Sequence, residues 1–236
     1  MKPTCLDVQA ILFDMDGVIT NTMPDHYRAW RTVLFQEEGI SVPHEEIYRR
    51  EGQKGSVSVR EILAMYQKKY TVSHGDRILS AKEALFKKIV KQRFICGARS
   101  FLNEMERAGM RLALVTGTSR HEMHRILPDR ILKQFTVIVT GNDVKHGKPA
   151  PEPYLKALSQ LKVNAPRALV IENAPFGIQA AKSAGIMCFA IATSLPPCYL
   201  KQADRVFTSF KDMRTKVSFR DNFPHRLTGG FPKDEN

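Results

Sequence analysis

Five short runs of aliphatic and β-branched residues punctuate the chain, at 10–14 (AILFD), 112–116 (LALVT), 137–140 (VIVT), 168–172 (ALVIE) and 187–192 (MCFAIA). Each ends in a polar or glycine-rich turn. Within a run the apolar residues are continuous rather than alternating, which marks strands buried on both faces, as in a parallel sheet covered by helices. A weaker sixth run, 204–207, predicts an edge strand. Helical patterns occupy 99–108, 151–161 and 176–184, the crossovers that parallel strands require. Gly109 and Gly185 stand where helix C-terminal caps belong. The pattern predicts an α/β fold with a doubly wound, Rossmann-like parallel sheet.

The spacing breaks once. About 95 residues separate the first two strands, whereas a βαβ crossover needs about 30. Helical patterns fill the gap at 24–38, 58–70 and 76–91. Tyr27, Trp30, Val33 and Leu34 share one face of the first; Ile78, Leu85 and Ile89 share one face of the last. This predicts an α-helical cap domain over 21–93, inserted into a core made of 1–20 and 94–236. A domain so placed covers the carboxyl ends of the strands, where open α/β sheets bind ligands.

Those strand ends collect the polar residues. The first ends Asp14-Met15-Asp16-Gly17, and residues two apart in extended chain point the same way. Two carboxylates on one site repel unless a cation relieves them. With hard oxygen donors and no thiolate, Mg²⁺ is the natural cation. A carboxylate can also be a covalent nucleophile, with the second acting as an acid. An EF-hand reading of D-x-D-G fails on register, since glycine falls at the wrong loop position and Asp25 stands where glutamate is needed. No Walker or dinucleotide-binding glycine motif competes.

The second strand ends Thr116-Gly117-Thr118-Ser119-Arg120, where a hydroxyl and turn amides suit phosphate oxygens or simply cap a helix. Gly147-Lys148-Pro149 follows the third strand; its lysine either neutralises a nucleophile and phosphoryl charge or is solvated. Glu172-Asn173 ends the fourth and offers two oxygen donors for a metal. Four polar motifs at four consecutive strand ends carry more weight together than any one alone.

Composition narrows the field. The chain has 236 residues, 43% hydrophobic and 25% charged, as expected of a globular protein with a real core. No apolar run approaches the roughly 20 residues of a membrane span. The N-terminus, with Asp7 and no apolar stretch, reads as cytoplasmic. Cys5, Cys96, Cys188 and Cys198 lie too far apart for a zinc site or a disulfide framework. The net charge of +12 is diffuse, which suits solvated surface and steering of anionic substrates. No nucleic-acid recognition element accompanies it. A small phosphorylated substrate is the expected partner, and a monomer the expected state.

With these motifs in order, the sequence resembles the haloacid dehalogenase superfamily, in the branch whose helical cap follows the first strand and closest to the β-phosphoglucomutase-like group. DMDGVITNTMPDHYRAW, TGTSR, GKPAPEPY and IENAPFGIQAAKSAG carry the likeness. It implies a Mg²⁺-dependent phosphohydrolase in which Asp14 forms an aspartyl-phosphate. Asp16 would serve as acid and then base, its carbonyl also holding the metal. Thr116 would hold the phosphoryl group beside Gly117 and Thr118, and Lys148 would bridge it to Asp14. Glu172 and Asn173 would bind Mg²⁺. A carboxylate at Asp16 separates phosphate chemistry from dehalogenation.

Most members have aspartate where this chain has Asn173, which weakens the metal site unless another carboxylate helps. Glu51, in the cap, is the candidate helper. Mutases of the group use a histidine and a cap lysine, matched here by His26 and Lys82. Their phosphate-gripping arginine falls at Gly55, beside Lys54, and a lysine is a poor substitute at such a site. Hydrolysis is therefore expected ahead of the mutase reaction, with a silent phospho-ligand-binding protein as the third reading. Arg49, Arg50 and Lys54 suggest an anionic group beyond the scissile phosphate, or a solvated basic face. The stretch 211–236 carries no motif and is expected to be loose or packed on the core.

Overall fold

The structure, a computed structural model, describes residues 3–220. The short strand β1 (Thr4–Leu6) leads into β2 (Ala10–Phe13). The helical segment follows as α1 (Met23–Glu38), α2 (His44–Tyr48), α3 (Gly55–Met65) and α4 (Val72–Ile89). Then come α5 (Ala98–Arg107), β3 (Arg111–Val115), α6 (Arg120–Ile126), α7 (Asp129–Leu132) and β4 (Val137–Val139). The chain continues through α8 (Glu152–Leu161), β5 (Ala168–Glu172), α9 (Pro175–Ser183), β6 (Met187–Ile191) and β7 (Arg205–Phe207). The last elements among the described residues are α10 (Phe210–Lys216) and β8 (Val217–Phe219).

Six strands form one parallel sheet in the order β4-β3-β2-β5-β6-β7. The continuous apolar runs have the expected cause. Ile11, Phe13, Leu112, Leu114, Leu169 and Ile171 enter one apolar cluster, while Ala10, Leu12, Ala113, Val115, Ala168 and Val170 enter another on the opposite face. Each strand is thus buried twice. After β4 the chain returns to the other side of β2, so the switch in winding direction lies at the carboxyl end of the central strand, where such sheets open a crevice.

The helical segment has an apolar cluster of its own, built from Trp30, Val33, Leu34, Ile40, Ile47, Val59, Ile62 and Ile78 among others. The two passages joining it to the sheet run together. Asn21 N donates to the Arg93 carbonyl at 2.9 Å and Ile95 N to the Ile19 carbonyl at 2.9 Å. Asp25 Oδ2 accepts from Arg93 at 2.6 Å and from the Lys91 amide at 3.2 Å.

Two helices differ from the pattern-based ranges. The helix expected over 58–70 starts earlier and stops at Met65, because Gln67 has a positive φ of 55° and Tyr70 packs its ring against Gly75. The helix expected from 76 starts at Val72, where the Thr71 side chain caps the His74 amide. The stretch from 211 is ordered as far as it is described. It closes α10 and pairs β8 in parallel with β1, a second sheet that the short runs did not announce. The remainder, 221–236, lies outside the described residues. No helix among the described residues is long and apolar enough to cross a membrane.

Candidate active site

Asp14 is the first residue beyond β2 and is fully buried; its amide bonds the Ile171 carbonyl at the end of β5. Lys148 reaches it from the loop after β4. The ammonium donates to Asp14 Oδ1 at 2.6 Å, to Glu172 Oε1 at 2.6 Å and to the Val115 carbonyl at 3.2 Å. Its three N–H bonds thus have three acceptors. Burial works against its charge, but the Asp14 and Glu172 carboxylates overcome this and raise its pKa. Asp14 itself is pushed up to about 8, chiefly by burial, with Glu172 and Asp16 adding and Lys148 opposing.

Glu172 does not stand free for a metal. Its Oε1 also accepts from the buried Tyr154 hydroxyl at 2.8 Å, and its Oε2 from the amides of Asn173 at 2.9 Å and Ala174 at 3.3 Å. Both oxygens are committed, so its visible work is to hold Lys148. Asn173 is different. Its Nδ2 donates to Ser194 Oγ at 2.9 Å, while its Oδ1 is buried without a partner. Asp14 Oδ2 is likewise buried and unpartnered. Buried oxygens are rarely left so unless something is to bind them.

Two orphaned hard oxygens, in a site whose carboxyl groups repel, are a donor set that fits Mg²⁺. Among the described residues no group of three or more His, Cys, Asp or Glu side chains converges as a metal site. The fit therefore rests on Asp14, Asn173 and main-chain oxygen. The turn after Asp16 is tight: Gly17 has φ +96°, and a side chain there would strike the Asn173 amide.

Asp16 is buried beside Asp14 and well supplied with donors. Thr22 bonds its Oδ1 and Thr118 its Oδ2 at 2.9 Å, while His26 Nε2 lies 3.4 Å from Oδ1. Burial would raise its pKa, but His26, Thr22 and Thr118 together lower it. Thr118, expected to meet substrate, spends its hydroxyl on Asp16. Thr116 Oγ1 accepts from the Thr118 amide at 3.0 Å and so shapes that turn. Lys82 Nζ lies 3.2 Å from His26 Nδ1. An ammonium has no lone pair, so Nδ1 accepts and the ring proton sits on Nε2, facing Asp16. Burial, with Lys82 adding, lowers the His26 pKa against the pull of Asp16.

Helices α1, α3 and α4 and the loop before α3 close over these residues, leaving a cavity of about 270 Å³. Its walls include His26, Glu51, Lys82, Glu83, Glu122 and Gly117. The loop at 51–55 sits tightly on the sheet's loops. A side chain at Gly52 would meet the Lys148 stem, and a methyl on Gly117 would lie 2.7 Å from the Gly52 carbonyl. Glu51 is in this loop. Burial, then the charges of Asp16 and Asp14, raises its pKa well above normal, which puts its carboxyl near theirs.

The basic residues expected to greet a second anion are otherwise engaged. Lys54 Nζ donates to the Val144 carbonyl at 2.7 Å. Arg49 and Arg50 pair with Glu46 at 3.2 and 2.6 Å. Two contributors escaped the sequence reading. Tyr154 lay in the GKPAPEPY motif without an assigned role. Glu122 stands three residues after Ser119, a capping spacing that hides any further use.

Comparison with known proteins accords with this geometry. Residues 11–191 match the family described as Haloacid dehalogenase-like hydrolase. A phosphorylated carbohydrates phosphatase of Thermotoga maritima is 34% identical over 185 residues, 76% of this chain and 82% of that protein. A validoxylamine A 7'-phosphate phosphatase of Streptomyces hygroscopicus is 28% identical over 207 residues, covering 86% of this chain and 94% of its own. Among solved structures, a β-phosphoglucomutase from Clostridium difficile aligns with a TM-score of 0.76 at 26% identity, over 89% of this chain and 93% of that one. With its matched residues spanning most of the sheet and the carboxylate–lysine cluster at its centre, the chain belongs to the haloacid dehalogenase-like hydrolases, in their β-phosphoglucomutase-like group.

Proposed function

We propose that the protein is a Mg²⁺-dependent phosphatase that releases phosphate from a small phosphorylated metabolite through an aspartyl-phosphate on Asp14. The carrying observation is the state of Asp14. It is fully buried, one oxygen is fixed by Lys148, and the other has no partner. A structural carboxylate would be satisfied on both sides.

In this reading the Asp14 carboxylate attacks phosphorus and the bond to the leaving oxygen breaks. Lys148 steadies the nucleophile and the phosphoryl oxygens, and Thr116 with the Gly117–Thr118 turn binds the transferred group. Asp16 passes a proton to the leaving oxygen and later takes one from the attacking water. Its surroundings hold it ionised, the form needed for that second half. The first proton then enters with the substrate, since a phosphate monoester with a second pKa near 6 carries one in its monoanion. Asp14, Asn173 and the Asp16 carbonyl would hold Mg²⁺, with Glu51 reaching it or its water shell. When bound, the ion neutralises the carboxylates and the transferring charge.

Residues 21–93 act as the cap domain and choose the substrate. The paired chain passages at 19–21 and 93–95 are its hinge, and 1–20 with 94–236 form the core. The mutase reaction is not favoured. Gly55 replaces the arginine such an enzyme would use, a side chain there would meet Leu79 at 2.5 Å, and neighbouring Lys54 is held by Val144.

The test is phosphate release over a panel of phosphorylated compounds, with Mg²⁺ and with EDTA. Beryllium fluoride trapping runs beside it on wild type and Asp14→Asn. Release and trapping that need Mg²⁺ and vanish in the variant are expected. Release that survives Asp14→Asn sinks the proposal.

A further inference from the structure

The cavity wall holds an acid that the mechanism leaves unused. Glu122, on α6, is 7% exposed and lines the cavity. Its Oε2 takes the Ser119 hydroxyl at 3.1 Å, while the Ser119 oxygen accepts the Glu122 amide at 3.3 Å. That local cap accounts for one carboxylate oxygen. The other, Oε1, is buried with no hydrogen-bond partner. A buried carboxylate oxygen costs free energy unless a donor meets it. Among the described residues, no cation lies within ion-pair distance of Glu122.

Its neighbours sharpen the picture. Glu83, on α4, walls the same cavity, and burial together with the Glu122 charge raises its pKa. The cations nearby are partly engaged: Lys82 gives one of its three N–H bonds to His26, Lys54 bonds the Val144 carbonyl, and Arg50 pairs with Glu46. This end of the cavity therefore sets the carboxylates of Glu122 and Glu83 beside the Lys82 ammonium, with an acceptor oxygen of Glu122 left over.

Resting on the phosphatase reading above, we infer that Glu122 is a specificity-determining residue whose free Oε1 accepts a hydrogen bond from a hydroxyl or amino group on the leaving part of the substrate. The leaving group is thus a donor-bearing, uncharged or cationic moiety such as a polyol or amino-polyol. A carboxylate or second phosphate placed against Glu122 and Glu83 meets like charge and is bound less well than a donor-bearing group.

Glu122→Gln tests this with little change of shape. Ser119 then donates to the amide oxygen, which places the NH₂ where the free oxygen stood, so the charged acceptor is lost and a substrate hydroxyl can only accept a weaker, neutral bond there. The measurement is kcat/KM for sorbitol 6-phosphate, phosphoglycolate and p-nitrophenyl phosphate in wild type and variant. Wild type is expected to prefer the polyol ester to phosphoglycolate. In the variant, the ratio of the polyol ester to p-nitrophenyl phosphate falls about ten- to a hundred-fold, the scale of a lost hydrogen bond to a charged group. An unchanged ratio, or a wild type that prefers phosphoglycolate, overturns the assignment of Glu122 while leaving the phosphatase standing. Wild type that hydrolyses none of the three overturns both readings.

Discussion

The cluster at the sheet's carboxyl edge and the helical wall of the cavity beside it are built on opposite terms. On the sheet side Lys148 meets Asp14, Glu172 and Val115, and Glu172 meets Tyr154 and two amides, which leaves Asp14 Oδ2 and Asn173 Oδ1 as the open positions. On the helical side and its α6 neighbour, the Glu122 Oε1 is unpartnered and Lys82 touches only His26 and aromatic rings. A lysine–carboxylate network fixed before substrate arrives can act on a group that never changes, the phosphoryl group. Unfilled acceptors suit the part that varies between substrates. The sheet side should therefore dominate stability and rate together, and the helical side should govern choice.

The largest separation is expected between two buried lysines. In Lys148→Met, two carboxylates lose their cation in the interior, which should cost about 3–5 kcal/mol of stability and lower kcat by about a hundred- to a thousand-fold. In Lys82→Met the missing ammonium has no carboxylate within ion-pair distance, and the stem still packs on Trp30 and Phe86, so the loss should stay within about 1 kcal/mol. Urea unfolding of both variants decides. Equal losses would break the contrast between the two walls.

A smaller effect probes the sheet side alone. Tyr154→Phe removes only the hydroxyl that donates to Glu172 Oε1 at 2.8 Å. A hydrogen bond to a buried charge is worth about 1.5–3 kcal/mol, and thermal unfolding should show a loss in that range. If Glu172 serves mainly to hold Lys148, kcat falls while the Mg²⁺ concentration for half-activation stays put. A shift in that concentration without a fall in kcat would return Glu172 to the metal.

What could be read from sequence follows the same division. The strands were legible because two-sided burial writes itself as continuous apolar runs, and Asp14, Asp16, Thr116, Lys148 and Glu172 were legible because the sheet delivers their segments to one edge. The commitments of those side chains were not. Nothing in a sequence says that Glu172 has spent both oxygens on Lys148, Tyr154 and two amides, or that Thr118 has turned to Asp16. Lys54, Arg49 and Arg50 looked available because charge is visible in sequence and partners are not. Glu122 was hidden by its Ser119-x-x-Glu122 spacing, which a helix cap explains completely. The β1–β8 pair escaped because its strands, TCL and VSF, are mostly not buried and form no continuous apolar run.

The smallest prediction concerns the solvated rim, a reference for both walls. Asp143 Oδ2 accepts from the Thr140 amide at 2.8 Å, the Thr140 hydroxyl at 2.6 Å and Arg120 at 2.7 Å. Burial opposes its charge, but the Thr140 and Arg120 contacts outweigh it and lower its pKa. Because the folded pKa lies below the unfolded one, the stabilisation is complete above the unfolded value of about 3.9 and disappears as the pH falls through the folded value. Asp143→Asn should therefore cost about 0.5–1 kcal/mol at neutral pH, the usual worth of a capping side chain at a partly exposed turn. The gap between variant and wild type in urea unfolding should narrow on acidification, and high salt should shrink it by screening Arg120. A gap that widens in acid would mean that the carboxylate is not the stabilising form. The rim would then have to be explained by packing at the β4 turn instead of charge.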